Sequence, residues 1–460
     1  MPQPKEQFEG LPALGPFDGD QVIRDLGNDL VLRRGAPEDA EAVASFNAVV
    51  HADPPSFEPA RPVGQWTREL MDGRHPSCSA SDFTIVQDTR SNRVASTLCL
   101  LSHRLRYGGV ALDAGQPELV GTHPDYRHHG LVATQFEVIH DWSDKRGQRL
   151  QLVDGIPWYY RQFGYEMALE QSGHRLAPAA SLQTRSADRR EGLRVRPARV
   201  EDAEFLAELY ERSTRRHRLA CERDAAFWRY EIEARDAGSH HRKQLRVIER
   251  ADGPRLAVFA HPSLLYGGWL HVNLAEVAAG VAWTEVLPTL LFAIENEAAA
   301  LAKPGGKPFR GGAFMLGTEH PVYEAAGRRL VQKGPAYAFY VRVPDLAGFL
   351  GHVAPAIEAR LAASSLSGHT GELHLSFYRS GVRIAFQAGS LTDVAPWTPA
   401  TDERGDLAFP ALTFLQLLFG YRSLSQLDGA FPDCVRWQED QAPLVEALFP
   451  PQASELWLTL

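Results

Sequence analysis

The sequence predicts two tandem copies of one α/β unit followed by a smaller α+β domain. Three observations carry this. Leu32 to Val43 reads LRRGAPEDAEAV and Val195 to Leu206 reads VRPARVEDAEFL, so that Asp39-Ala40-Glu41 recurs 163 positions later as Asp202-Ala203-Glu204. Pro157, Tyr159 and Gly164 recur at nearly the same offset as Pro321, Tyr323 and Gly327, and two distant anchors at one spacing mark a repeat. After Pro344 the texture changes to short alternating strands and apolar helices.

At 460 residues the chain is too long for one core, and 44% hydrophobic with 23% charged residues is ordinary globular composition. The boundaries read as an arm at 1–28, a first unit at 29–177, a polar link from Pro178 to Gly192, a second unit at 193–343 and a third domain at 345–460. Each unit opens with a short Arg-bearing strand that runs into a helix whose first turn is acidic, as the helix dipole favours. In the third domain Leu346 to Leu361 reads as a helix, Leu373 to Phe377 and Val382 to Phe386 as half-buried strands, Phe409 to Phe419 as an apolar helix ended by Gly420, and Leu444 to Pro450 as a last helical element.

The first unit holds the most informative stretch, Gly121 to Gly164. A strand through Glu118 to Thr122 delivers the chain to the turn His123-Pro124-Asp125-Tyr126-Arg127-His128-His129-Gly130. A helix follows, with Leu131, Val132, Phe136, Val138, Ile139 and Trp142 near helical spacing and Gly147 placed as its C-terminal cap. A strand at Leu150 to Val153 comes next. Gly130 lets backbone approach a ligand, and the helix start offers unpaired N–H groups and a positive dipole end to an anion, which makes a pyrophosphate cradle. Arg-x-x-Gly also occurs at Arg24, Arg106 and Arg250; only the strand-turn-helix context separates the copy at Arg127. The three-glycine dinucleotide fingerprint and the Gly-Lys-Ser/Thr of nucleotide triphosphate sites are both missing. The same offset from Arg127 to Gly130 lands on Leu290 to Ala293, inside the apolar run Thr284 to Leu301. The second unit therefore keeps the fold and loses the cradle, leaving one active site per chain.

This stretch resembles motif A of the GNAT superfamily of acetyl-CoA-dependent N-acetyltransferases, with Arg127-His128-His129-Gly130-Leu131-Val132 at the Gln/Arg-x-x-Gly-x-Gly/Ala signature and Val132 where the superfamily pattern has a small residue. Two such units and a third domain resemble the enhanced-intracellular-survival (Eis) type, with Tyr160-Arg161-Gln162-Phe163-Gly164-Tyr165, Leu417-Leu418-Phe419-Gly420 and Leu448-Phe449-Pro450 among the shared pieces. The resemblance implies two tandem GNAT (acyl-CoA N-acyltransferase) folds, the second degenerate, followed by a sterol-carrier-like α+β domain. The implied function is direct transfer of acetyl from acetyl-CoA to a primary amine of a small molecule (aminoglycoside-like) or lysine. A non-catalytic acyl-CoA or lipid-binding protein and an N-acyltransferase for longer acyl groups are the alternatives.

Transfer to an amine needs a held thioester, a neutral amine and a proton for the departing thiolate. Val120, Gly121 and Thr122 are the expected partners of the pantetheine arm, and Arg127, His128, His129, Gly130, Leu131, Val132 and Ala133 of the pyrophosphate; Tyr160 and Arg161 are expected along the CoA channel. Tyr165, the tyrosine of the Phe-Gly-Tyr motif, is the expected general acid, because a phenol of pKa about 10 is nearly matched to a thiolate. For the base, the resemblance implies the chain's own C-terminal carboxylate, here on Leu460, where some relatives end in an aromatic residue; Glu118 is the rival on the strand itself. No Cys lies in the motif segment to carry an acyl group.

Other features point to no separate chemistry. His123, His128 and His129 have no Cys or carboxylate at ligand spacing, so no metal is expected. Cys78, Cys99, Cys221 and Cys434 are far apart and read as free thiols. The run Arg212 to Arg223 reads as a solvated helix face, and a net charge of −9 argues against nucleic acid. With no apolar run of membrane length and no basic-then-apolar leader, the expectation is a cytoplasmic protein that binds no membrane. The family resemblance implies a homo-oligomer.

Overall fold

The computed structural model describes residues 5–54, 56–171, 173–182, 192–302, 308–332, 337–400 and 403–457. The first unit runs β1 (Val22–Gly27), β2 (Leu30–Arg34), α1 (Ala40–Val50), α2 (Arg61–Met71), β3 (Phe83–Asp88), β4 (Arg93–Tyr107), β5 (Val110–Thr122), α3 (Leu131–Lys145), β6 (Leu150–Val153) and β7 (Glu166–Gln171). A short strand β8 (Arg175–Pro178) and the single turn α4 (Ala179–Leu182) follow. The second unit is β9 (Leu193–Pro197), α5 (Ala203–Thr214), β10 (Leu219–Cys221), α6 (Ala225–Arg229), β11 (Lys243–Arg250), β12 (Arg255–Pro262), β13 (Trp269–Val272), β14 (Leu274–Val277), α7 (Trp283–Leu301), β15 (Gly311–Phe314), α8 (Pro321–Ala326), β16 (Val331–Gln332) and β17 (Tyr337–Arg342). The third domain is α9 (Leu346–His352), α10 (Ala354–Ala362), β18 (Gly371–Ser376), β19 (Gly381–Gln387), β20 (Ser390–Trp397), β21 (Leu407–Ala408), α11 (Phe414–Leu418), α12 (Leu424–Ala430), β22 (Val435–Arg436) and α13 (Ala442–Leu448).

The repeat is visible in detail. On β2, Arg33 donates from Nη1 and Nη2 to both oxygens of Asp39 at 2.7 Å, and Asp39 also accepts the Ala36 N–H at 2.9 Å. In the second unit Arg196 holds Asp202 in the same fork, and Asp202 accepts the Arg199 N–H at 2.8 Å. The recurring Arg and Asp are thus one device, fully buried in the first unit and partly in the second, that fixes how each opening strand enters its helix, bidentate as guanidinium and carboxylate geometry allows.

The two units exchange their last strands. The first sheet has the order β1-β2-β3-β4-β5-β6-β17-β7, with β10 paired to the far end of β4, while β8 lies in the second unit's sheet in the order β13-β15-β8-β16. β8 and β17 are repeat equivalents, so each unit closes the other's sheet. β17 enters antiparallel to both neighbours, Tyr340 opposite Val153 and Met167. The remaining second-unit strands form β14-β12-β11-β9, and the third domain a five-stranded sheet β20-β19-β18-β21-β22.

One core cluster spans the units. Leu105 and Tyr107 of β4, Leu206 and Tyr210 of α5, Phe349 of α9 and Phe419 are all buried within it, and the Tyr107 hydroxyl donates to the Leu418 carbonyl at 2.6 Å. Each such side chain withdrawn from water contributes roughly 1.5–3 kcal/mol, so the third domain is packed against the first unit rather than tethered to it. The span 346–361 forms two helices, α9 and α10, because Val353 leaves helical geometry at φ −90°, ψ 11° and Pro355 starts the second. The arm is partly structured: β1 pairs with β2 and Phe8 is 2% exposed.

Candidate active site

The site forms where two parallel neighbours part. β5 pairs with β6 only at Ala114–Leu150 and Gly115–Gln151. Beyond them Pro117 has no N–H with which to continue the ladder, and a β-bulge follows: Cys99 faces Glu118 and Thr97 faces Gly121, with Leu119 at φ 54°. The bulge bends β5 away from β6. The opening is a cavity of about 680 Å³.

One wall is Pro117 to Thr122 of β5, and the other is Asp154, Gly155 and Ile156 after β6 with Tyr159, Tyr160, Gln162 and Phe163 of the short 3₁₀ helix Tyr159–Phe163. The end is closed by Gly130 to Ala133 at the start of α3, with Tyr126, Arg127 and His128 beside it. Gly130 takes φ 72°, a left-handed conformation that glycine adopts without strain. The first bond of α3 runs from the Thr134 N–H to the Gly130 carbonyl at 3.1 Å. The N–H groups of residues 130 to 133 therefore have no partner within the helix, and all four residues line the cavity. Those donors and the dipole end suit an anion. α3 itself is held by Phe136, Ile139 and Trp142, buried against the sheet, and Gly147 at φ 68° ends it.

Glu118 faces the cavity from the bulge. Its Oε1 accepts from Gln116 Nε2 at 2.6 Å. Burial, with the Asp154 carboxylate across the cavity adding to it, pushes its carboxyl up to about 8. The Tyr160 ring lies against Gly155, where a Cβ would stand 2.0 Å from Cε2. Burial, and after it the negative charge of Glu118, holds the Tyr160 phenol above its ordinary value. His51, at the end of α1, also lines the cavity with its Nε2 sealed from solvent, and burial brings its imidazole down to about 4.

The residues expected from sequence divide as follows. Val120, Gly121, Thr122, Arg127, His128, Gly130, Leu131, Val132, Ala133, Tyr160 and Glu118 line one cavity. His129 sits outside it, its Nδ1 2.9 Å from the Arg127 carbonyl. Arg161 turns away to Glu166 at 2.7 Å. Tyr165 is fully buried on the α3 side, its hydroxyl 3.0 Å from His140 Nε2, and forms no part of the cavity wall. Leu460 lies outside the described residues. His51, Asp154, Gly155 and Ile156 were not found from sequence; Asp154-Gly155 is a turn signal directly after a strand, whereas nothing in the sequence marks His51.

In the second unit the helix equivalent to α3 is α7, which starts at Trp283; the positions 163 residues after the cradle, Leu290 to Ala293, lie inside it, with Leu290, Leu291 and Ala293 buried. There β13 pairs in parallel with β15 while β14 pairs with β12, and Glu276 on β14 is buried, paired with Arg216 and 3.3 Å from His320 Nε2. Among the described residues no group of three or more His, Cys, Asp or Glu is arranged to hold a metal ion, the four cysteines are free and buried, and no helix is long and apolar enough to cross a membrane.

Residues 32–168 match the acetyltransferase (GNAT) domain family. Comparison with curated proteins finds no match. Among solved structures, a probable N-acyltransferase from Enterococcus faecalis is 14% identical with a TM-score of 0.63, covering 93% of this chain and 98% of its own. A GCN5-related N-acetyltransferase from Kribbella flavida is 17% identical with a TM-score of 0.61, over 93% and 97%. Eis1 from Mycobacterium abscessus is 13% identical with a TM-score of 0.58, over 94% and 99%. Residues 32–168 thus form a GNAT acetyltransferase domain, in a chain that shares the overall fold of Eis1.

Proposed function

We propose that the cavity binds acetyl-CoA and that the protein transfers its acetyl group directly to a primary amine. The observation that carries this is the meeting, in one cavity, of the four unpartnered N–H groups of residues 130 to 133 with the carboxyl of Glu118 and the ring of Tyr160. The N–H groups and Arg127 take the diphosphate. The pantetheine arm then lies in the gap between β5 and β6, with the thioester beside the bulge.

Glu118 accepts a proton from the incoming ammonium, so that the nitrogen lone pair attacks the thioester carbon. The tetrahedral intermediate collapses with cleavage of the carbon–sulfur bond, the thiolate takes a proton from Tyr160, the nitrogen gives up its remaining extra proton through solvent to the Tyr160 phenolate, and Glu118 releases to solvent the proton it took from the ammonium. The amide then carries the acetyl group, and CoA leaves as the thiol. A carboxyl raised to about 8 suits this role, since it is basic enough to compete for the proton of an alkylammonium and still ionised in mildly alkaline solution. Tyr160 replaces Tyr165 as the donor because Tyr160 lines the cavity, whereas the Tyr165 hydroxyl is bonded to His140 behind it. The acceptor class proposed is a small polyamine of the aminoglycoside kind or a lysine side chain.

The test is release of CoA thiol from acetyl-CoA over a panel of aminoglycosides, small amines and lysine peptides. Amine-dependent release that is lost in Glu118→Gln supports the reading. Binding of CoA with no release for any amine would make the chain a binding protein instead.

A further inference from the structure

Behind Glu118 runs a line of buried polar groups that the proposed chemistry does not use. Gln116, the residue that donates to Glu118, accepts at Oε1 from His103 Nε2 at 2.7 Å. His103 Nδ1 accepts from Arg223 Nη2 at 3.2 Å. Arg223 in turn donates from Nε at 3.0 Å and from Nη2 at 2.9 Å to the carbonyl of Trp457, in the C-terminal tail. Gln116 is 0%, His103 3% and Arg223 7% exposed. The line joins the β4–β5 hairpin, the loop after β10 and the tail, three regions distant in sequence.

From Arg223 to Glu118 the donors all point one way. A guanidinium can only donate, so His103 Nδ1 is the acceptor and its proton is on Nε2; that N–H donates to Gln116, which fixes the amide with its NH₂ toward Glu118. No proton can pass through the amide. What passes is polarisation from a buried cation and a fixed position for Glu118 Oε1, leaving Oε2 for the cavity. Among the described residues no carboxylate pairs with Arg223, and an isolated buried guanidinium is costly. The aligned dipoles ending on an acidic residue, the carbonyls of Trp457 and Glu222, and the Phe227 ring beneath the guanidinium are its compensation.

We propose that Arg223, His103 and Gln116 are positioning residues that couple docking of the C-terminal tail to the orientation and basicity of Glu118. The tail is well held at this point: the Arg218 N–H donates to the Ala453 carbonyl at 2.7 Å, the Glu455 N–H to the Leu219 carbonyl at 3.0 Å, and Trp457 packs on Trp228 with ring centroids 5.7 Å apart. Placing the Trp457 carbonyl orients the guanidinium, and the guanidinium sets the rest. The catalytic meaning of this coupling rests on the reading of Glu118 as the base.

Asp154 and Tyr160 face Glu118 from the opposite wall and Cys99 from β4, and His51 lines the same cavity; His103 is faced by Arg223 and His75. None of the titratable groups facing Glu118 changes in the variants below. The test is a ¹³C-carboxyl NMR titration of the full-length protein labelled at glutamate, without amine or CoA, with the Glu118 signal assigned by its loss in Glu118→Gln. Gln116→Met removes the donor to the carboxylate and is expected to raise the Glu118 midpoint by roughly one unit. Arg223→Lys keeps the charge but cannot span Trp457 and His103, and is expected to raise the midpoint in the same direction. The double variant should move it no further than Gln116→Met alone, since both act through one line. A midpoint unchanged in Gln116→Met, or two shifts that add in full, would overturn the proposal. His103→Asn, too short to bridge its neighbours, replaces Arg223→Lys if that variant does not fold. Because the midpoint is read on resting protein, it is independent of whether Glu118→Gln abolishes thiol release, which tests the catalytic reading.

Discussion

The hydroxyl of Tyr165 lies 3.0 Å from Nε2 of His140, on the α3 side of the first sheet, and not at the cavity that Glu118 and Tyr160 line. Burial holds the Tyr165 phenol above its ordinary value and brings His140 down to about 3, with the Arg342 charge adding to the latter. The pair is therefore a neutral, partly buried hydrogen bond that supports the floor beneath Tyr160. Tyr165→Phe should change kcat by only a few fold and cost about 1 kcal/mol of stability. Tyr160→Phe should lower kcat by roughly 100-fold or more, the scale of a lost proton donor. Steady-state thiol release and urea unfolding of the two variants check this, and the reverse ranking would return the acid role to Tyr165.

The close approach of Gly155 to Tyr160 gives a second expectation. A methyl group at residue 155 would stand 2.0 Å from Cε2 and 2.9 Å from Cζ of the ring, so the ring must move. Displacement of a reacting group by about 1 Å costs roughly 100-fold. Gly155→Ala should thus lose kcat on the scale of Tyr160→Phe, with far-UV circular dichroism unchanged. Full activity in this variant would show that the Tyr160 ring does not act from where it sits.

The pH profile follows from Glu118. Its carboxyl titrates near 8, and a base works only when ionised, so kcat/KM should climb with pH and level off above about 8. In Glu118→Gln that limb should vanish along with roughly 100- to 10,000-fold of the rate. A rate that is flat from pH 6 to 9 in the unaltered protein would remove Glu118 from the role.

How much of this was legible in the sequence depends on whether the property is local. α3 runs from Leu131 to Lys145 and β6 from Leu150 to Val153, as the apolar spacing and Gly147 indicate, because both depend on neighbours within a few residues. The Arg33–Asp39 and Arg196–Asp202 forks lie under the repeated motif, whose acidic residue could be placed at a helix start but not assigned its arginine. The exchange of β8 and β17 could not be read: alternation says which face of a strand is buried, not which strand it pairs with. Tyr160 and Tyr165 are five residues apart on either side of a glycine, and only the turn geometry decides which ring meets the cavity. The line from Trp457 to Glu118 is assembled from three regions distant in sequence and has no local signature.

The repeated forks predict the stability of each unit. Arg33 and Asp39 are 1% and 4% exposed at their side chains, and removing one partner of a buried pair costs about 3–5 kcal/mol. Asp39→Ala should lose that amount in urea unfolding, and a loss below 1 kcal/mol would contradict the assignment.

In the second unit burial alone would raise Asp202, but hydrogen bonds from Arg196, the Arg199 N–H and Arg255 outweigh it and bring the carboxyl down to about 2. An unfolded aspartate titrates near 3.9. The folded form binds the proton less readily, so this group's contribution is complete above about pH 4 and is lost as the pH falls toward 2. Asp202→Asn should be less stable than the unaltered protein at pH 6, and the gap should narrow as the pH is lowered from 4 toward 2. A gap that stays constant over that range would mean the carboxylate carries none of it.

The most direct measurement is a crystal structure of the protein with acetyl-CoA. The account predicts the diphosphate on the N–H groups of residues 130 to 133 and the thioester in the gap between β5 and β6, its sulfur within hydrogen-bonding reach of the Tyr160 hydroxyl. Density for CoA elsewhere on the chain, or a sulfur reached by Tyr165 and remote from Tyr160, would contradict it.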